Sequence, residues 1–192
     1  MSNTFEILMN QLGMPAEMRQ DSALSQAEIE QVIVHKFSKI WEFRFVFADI
    51  LPIDIFLELK TRLDEEFSKT GNQAVFEIKT REQHFSREVL QAYYKEAFTD
   101  GPCASQGFRS LYQDLQVRVE DGKLLIEGSE AIDKEHFRKN HLPNLTKQLE
   151  KFGFPAFSFE IEQNEALTQE EEAAFHAENE QIVQAANEEA LR

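Results

Sequence analysis

Residues 40–47 read Ile-Trp-Glu-Phe-Arg-Phe-Val-Phe, so Trp41, Phe43, Phe45 and Phe47 fall on every second position. A period of two is the strand period, which puts the four rings on one face of a sheet and Glu42, Arg44 and Val46 on the other. Four rings on one face need cover, either from a second layer of the fold or from bases stacked on an open platform. Strand aromatics at this spacing mostly pack against helices, so the ladder predicts a sheet with one face covered. The run at residues 29–36 reaches the ladder through a short turn around Phe37, Ser38 and Lys39, which predicts a hairpin. Setting Val34 opposite Phe43 and Val32 opposite Phe45 gives a buried face of Val32, Val34, Phe43, Phe45 and Phe47. The outer face then holds Ile33, His35, Glu42, Arg44 and Val46, with His35 and Glu42 as a surface pair.

Around this hairpin the order of elements repeats. Phe5, Leu8, Met9 and Leu12 at helical spacing predict a first helix, with Asn3 as N-cap, Glu6 three residues on, and Gly13 and Pro15 at its end. A short helix from Pro15 to Arg19 leads to the hairpin. Pro52 then opens a helix with a stripe of Ile55, Leu59, Leu63 and Phe67 and with Gly71 past its end, and residues 74–79 form another strand. Downstream, Val89, Leu90, Tyr93, Ala97 and Phe98 mark a helix and residues 105–115 a shorter one. Asp121-Gly122 between alternating strands predicts a type I′ hairpin. A helical segment from Asp133 to Phe152, kinked or broken before Pro143, leads to a strand with Phe157, Phe159 and Ile161 on one face. The expected fold is α+β: two modules of helix, helix, hairpin, helix and strand at residues 1–80 and 81–164, each a three-stranded sheet covered by helices. A single continuous six-stranded sheet would contradict it.

The chain has 192 residues and a formal charge of −15. Residues 165–192 hold eight glutamates against one arginine, so that segment is expected to be an acidic helical or disordered linker with few contacts, part of a longer protein. No apolar run approaches the roughly 20 residues that cross a bilayer, and the expectation is a cytoplasmic protein. Cys103, the single cysteine, rules out an internal disulfide and a cysteine-cluster metal site. No phosphate-binding glycine loop, nucleophile elbow or HExxH motif occurs, and His136 and His141, five apart, point to different sides of a helix. No base, nucleophile and orienter stand at workable spacing, so neither catalytic nor metal-ligating residues are expected in this segment.

Three stretches carry a family resemblance: "EILMNQLGMP", then "IEQVIVHKFSKIWEFRFVFADILPIDIFLELKTRLDEEF", then "HFRKNHLPNLTKQLEKFGF". Together they resemble the N-terminal region of the PolC-type DNA polymerase III alpha subunit, over residues 1 to about 164, and the acidic tail is similar to the linker found next in that family. The resemblance implies two small folds of the KH or initiator-N-terminal kind, set ahead of an oligonucleotide-binding fold, an inserted 3′–5′ exonuclease, a PHP domain and the polymerase core. Those later parts are not in this chain. No cofactor is therefore expected for it, and magnesium is implied only for the absent catalytic domains. The resemblance also implies a partner, the tau subunit of the clamp loader, held by a chain that is otherwise expected to be monomeric. Candidate partner-binding residues are Ile33, His35, Arg44 and Val46, on the outer face of the hairpin. Single-stranded DNA or template contact is the alternative, through Lys36, Lys39 and Arg44 in the first half and Lys134, Arg138 and Lys139 in the second. Protein binding is favoured, because a KH domain clamps nucleic acid with a GXXG loop that this chain lacks and because residues 1–164 carry −8.

Overall fold

The computed structural model describes residues 3–128, 132–163 and 165–191. The expected module end at residue 164 and the last residue of the tail lie outside them. The architecture is mixed α and β, with two three-stranded sheets.

Helix α1 (Thr4–Leu12) buries Phe5, Leu8, Met9 and Leu12. The Asn3 side chain caps it by accepting from Phe5 N at 3.0 Å. Gly13, at φ 65°, stops it and lets Met14 N bond back to Met9 O at 3.1 Å. The short α2 (Ala16–Arg19) and a 3₁₀ turn at Ser22–Leu24 lead into strand β1 (Glu28–His35). Strand β2 (Ile40–Phe47) follows, then α3 (Ile53–Ser68) and β3 (Gln73–Thr80). Pro52 stands at the N-cap of α3 rather than inside its first turn. The strand order is β1-β2-β3, with β1 antiparallel and β3 parallel to β2. The aromatic ladder thus occupies the central strand. Phe5 of α1 meets Phe45 and Phe47 edge-on, and Phe67 of α3 meets Trp41 and Phe43, so the rings form a helix-covered core face.

Two details of the hairpin differ from the sequence expectation. The pairing is Val34 with Trp41 and Val32 with Phe43, two residues from the expected register, and a bulge lies between Ile29 and Gln31. A shift of two keeps every side chain on its face, because the side-chain period is two. Val32 and Val34, expected in the core, are 40% and 43% exposed. They share the face of the ladder but lie on the edge strand, beyond the cover of the helices.

The second sheet joins β4 (Gln116–Glu120), β5 (Lys123–Gly128) and β6 (Ser158–Gln163) in that order, again antiparallel then parallel. Asp121 and Gly122 both have positive φ, as a type I′ turn requires. Its inner face, Val117, Leu124, Ile126 and Ile161, shares a core with side chains of α4 (Arg87–Glu96), α5 (Gln106–Tyr112), α6 (Lys134–Asn140) and α7 (Leu142–Lys151). The helix breaks at His141 and resumes with Pro143 in the first turn of α7, where a missing N–H costs nothing. Helix α8 (Glu165–Ala190) follows. Phe175, Ile182 and Val183 on it are 63%, 60% and 58% exposed, so this helix adds no core.

A single hydrophobic core runs through both sheets. Phe76 of β3 meets Phe56 of α3, and Phe56 meets Tyr93 of α4 and Phe152, just past α7. The buried Tyr93 hydroxyl donates to Leu51 O at 2.7 Å. Thr80 Oγ1 donates to Gly153 O at 2.6 Å. Lys60 of α3 bonds Glu96 at 2.7 Å and also pairs with Asp100. Burial pulls the Lys60 ammonium down, but Asp100 and Glu96 outweigh it and hold the pKa above the ordinary lysine value.

Candidate interaction surface

The outer face of the first sheet is set by the register. Ile33 stands across from Glu42 and His35 across from Ile40; on the other side of β2, Arg44 stands across from Glu77 and Val46 across from Lys79. Ile33, His35, Arg44 and Val46 therefore share one face, as the strand period requires. Ile33 and Val46 are half-buried, and with Val75, 38% exposed, they stand outside the hydrophobic core. The charges among them are mutually compensated. His35 Nε2 lies 3.2 Å from Glu42 Oε2, a diagonal contact in the shifted register. Arg44 Nε lies 2.9 Å from Glu77 Oε1, without hydrogen-bond alignment, while its NH1 donates to Gln31 Oε1 at 3.0 Å. Lys79 reaches Glu30 at 3.0 Å. The face offers apolar islands between polar side chains that already have partners, a surface chemistry suited to another protein.

The residues of the nucleic-acid alternative are divided. Lys36 and Lys39 sit in the β1–β2 turn, exposed and without an ion-pair partner among the described residues, and Phe37 between them is fully exposed. Arg44, grouped with them from the sequence, is engaged by Glu77 and Gln31 and has less to offer a phosphate. Lys134, Arg138 and Lys139 lie on α6, in the other half of the chain, where Phe137 packs on Phe108 and Tyr112 of α5. No GXXG loop joins the two sets, and a single strand would have to follow backbone contacts that the fold does not line up in one turn.

Three local clusters were not legible beforehand, because they join residues distant in sequence. Asp49, Glu82 and His84 bring their ligand atoms within 4.8 Å of one another. His84 Nδ1 contacts Asp49 Oδ2 at 2.7 Å and the His84 backbone N–H donates to Asp49 Oδ1 at 2.7 Å, which pins the segment between the sheets. The hydrogen bond and charge of Asp49 raise the His84 pKa. Burial alone would raise the Asp49 carboxyl, but the bonds from the His84 backbone and ring and from Ile50 N–H hold it below its ordinary value. On the second sheet Arg118 lies across the central strand to bond Glu127 and Glu162 at 2.5 Å each and Glu120 at 3.0 Å. Leu125, its ladder partner, is only 4% exposed. His141 stacks on Phe108 at 4.1 Å, and because the helix breaks at His141 its ring comes to 5.3 Å from that of His136 instead of pointing to a different side; burial together with His136 lowers the His141 pKa. Cys103 is buried, and burial pushes its thiol up to about 11. A thiol so protonated is a poor nucleophile.

Residues 4–78 match the family described as DNA polymerase III polC-type N-terminus I, and residues 92–192 match DNA polymerase III polC-type N-terminus II. The chain is similar to DNA polymerase III PolC-type of Streptococcus pneumoniae strain R6, 76% identical over 179 residues, which is 93% of this chain. It is 62% identical over 192 residues to the protein of the same description in Streptococcus sanguinis SK36, and 38% identical over 192 residues to that of Streptococcus agalactiae serotype V, across the whole chain in both cases. The chain spans 12–13% of the length of these relatives. No solved structure matches significantly.

Proposed function

The chain belongs to the DNA polymerase III PolC-type family, as its N-terminal region, and from that premise we propose that it is a non-catalytic docking region that holds the polymerase to the tau subunit of the clamp loader. The whole protein in this reading is a cytoplasmic DNA-directed DNA polymerase with 3′–5′ exonuclease activity, whose magnesium sites belong to domains outside this chain. The two sheets, with their helices, act as KH-like or initiator-N-terminal-like modules at residues 1–80 and 81–164. Residues 165–192 serve as the acidic linker to the later domains of the polymerase. The observation that carries the docking reading is the outer face of the first sheet, where Ile33, Val46 and Val75 remain outside the core among polar side chains that already have partners. Interfaces draw affinity from desolvated apolar anchors and discrimination from charge register, and this face supplies both.

Titration of purified tau against the whole chain tests it. Ile33→Asp should weaken binding by about tenfold or more, because it buries an unpaired charge, and Arg44→Glu should weaken it by placing a carboxylate beside Glu77 and Glu42. Unchanged affinity in both variants, with folding retained, removes the proposal. Single-stranded DNA contact is the second reading, favoured only by the unpaired Lys36 and Lys39. In that case Lys36→Glu should weaken oligonucleotide binding and flatten its salt dependence while leaving tau binding alone.

A further inference from the structure

The edge of the first sheet differs from its other side. β3 is flanked by α7 and tied to Gly153 through Thr80. In the second sheet, β4 is closed by Gln91 of α4, which accepts from Val117 N and donates to Leu115 O, both at 2.8 Å. No backbone or side-chain group outside the sheet bonds the backbone of residues 28–35 among the described residues. Every second residue of an outermost strand aims its N–H and C=O away from the sheet, so this edge is an open ladder. Proteins blunt such edges with charge and bulges, and β1 uses both only in its first half, at Glu28, Glu30 and the bulge between Ile29 and Gln31. From residue 32 to 34 the sequence is Val-Ile-Val, with the outer two 40% and 43% exposed. Immediately beyond lie a fully exposed Phe37 and the exposed Lys36 and Lys39, which have no ion-pair partner among the described residues.

We propose that residues 31–35 accept an added strand from a partner protein: an extended, apolar segment carrying carboxylates at the end that lies beside Lys36 and Lys39. The bare peptide groups supply register, Val32 and Val34 receive alternate apolar side chains, and the two lysines select the acidic end. A second copy of this chain is the poorer occupant. Each copy brings a formal charge of −15, and pairing along so short an edge falls well short of the roughly 1,200 Å² that specific complexes of folded proteins bury. A nucleic acid has no peptide groups to match the ladder. The edge shares β1 with the outer face, but Val32 and Val34 stand across from Phe43 and Trp41, on the opposite side of the sheet from Ile33 and His35, so Val34→Lys tests the edge apart from the clamp-loader reading.

The test uses the whole chain and a fluorescein-labelled nonapeptide with two Asp at its N-terminus followed by alternating Val and Thr, beside a twin with Lys in place of Asp. The expected result is saturable binding of the acidic peptide and slowed amide exchange at residues 31–35. Val34→Lys should weaken it about tenfold, and Lys36→Glu with Lys39→Glu should reverse the preference to the basic twin. Circular dichroism checks each variant, and if Val34→Lys does not fold, the lysine reversal decides. The proposal is overturned by absent saturation, by binding without protection of those amides, or by affinity indifferent to the variants. Oligothymidylate that displaces the peptide and depends on Phe37 would assign the edge to nucleic acid. A monomer–dimer equilibrium in sedimentation that Val34→Lys abolishes would assign it to a second copy. Either result overturns the proposal.

Discussion

Phe45 and Val34 point to the same face of one sheet, yet only Phe45 is buried, with no exposed surface, beside Phe43 and Phe47 and under Phe5. Phe45→Ala should lower stability by about 3–5 kcal/mol, read from the urea midpoint, whereas Val34→Ala should stay within about 0.5 kcal/mol. Which face a residue takes was legible from the period of two, and the even error in register left it intact. How far the helices reach over the face was not legible, because the alternation marks faces and says nothing of where a covering layer stops. The contact of His84 with Asp49 was also invisible, 35 residues apart, and it makes a pH prediction. His84 is raised above 6.5 in the fold, so its contribution is full below that pH and fades as pH rises through the folded value. Asp49 is lowered below 3.8, so its contribution is full above that pH and fades as pH falls through the folded value. The stability difference between the parent and His84→Gln should therefore be largest between pH 3.8 and 6.5 and shrink on either side; a difference flat from about pH 4 to 9 would refute the pin.

At the scale of elements, the punctuation residues were the most readable part of the chain. Gly13 ends α1, Asp121-Gly122 turns the second hairpin, and Pro143 breaks the long helical segment, each through a backbone preference that acts locally. Gly153 follows the helical segment directly, a place where glycine commonly ends a helix, but the fold uses it for more. It sits at φ +101°, and a Cβ there would meet Thr80 Cγ2 at 2.6 Å and Ile78 Cγ2 at 3.3 Å. Gly153→Ala should destabilise by about 1–3 kcal/mol, since it combines a disfavoured backbone with a clash against β3. Adding Thr80→Ser removes the methyl while keeping the hydroxyl that bonds Gly153 O, so the double variant should recover part of the loss. Additive losses in that pair, measured by urea unfolding, would show that the close approach of the α7 end to β3 is not what makes glycine necessary.

Across the whole molecule, order along the chain was readable and packing between distant parts was not. Tyr93 read as part of its own helix face, Phe56 stood outside the stripe expected of its helix, Phe152 only closed a helical segment, and no local pattern says that they meet. They do meet, Phe56 lying 5.1 Å from both Tyr93 and Phe152 by ring centroid, and through Phe76 they join the core of the first sheet to that of the second. A core continuous across both sheets predicts unfolding in one step, because opening either part strips cover from the other. Trp41, the single tryptophan, lies against Phe67 in the first sheet and reports that region alone. Phe152→Ala removes a buried ring beyond α7 and should cost about 3–5 kcal/mol. If the core acts as one unit, the Trp41 fluorescence midpoint in urea must fall together with the far-ultraviolet dichroism midpoint. If the two sheets were joined only by their connecting chain, Trp41 would keep its midpoint while part of the dichroism signal melted early. The exposed α8 gives an internal control, because cutting the chain after residue 165 removes helical signal but no core and should leave both midpoints where they were.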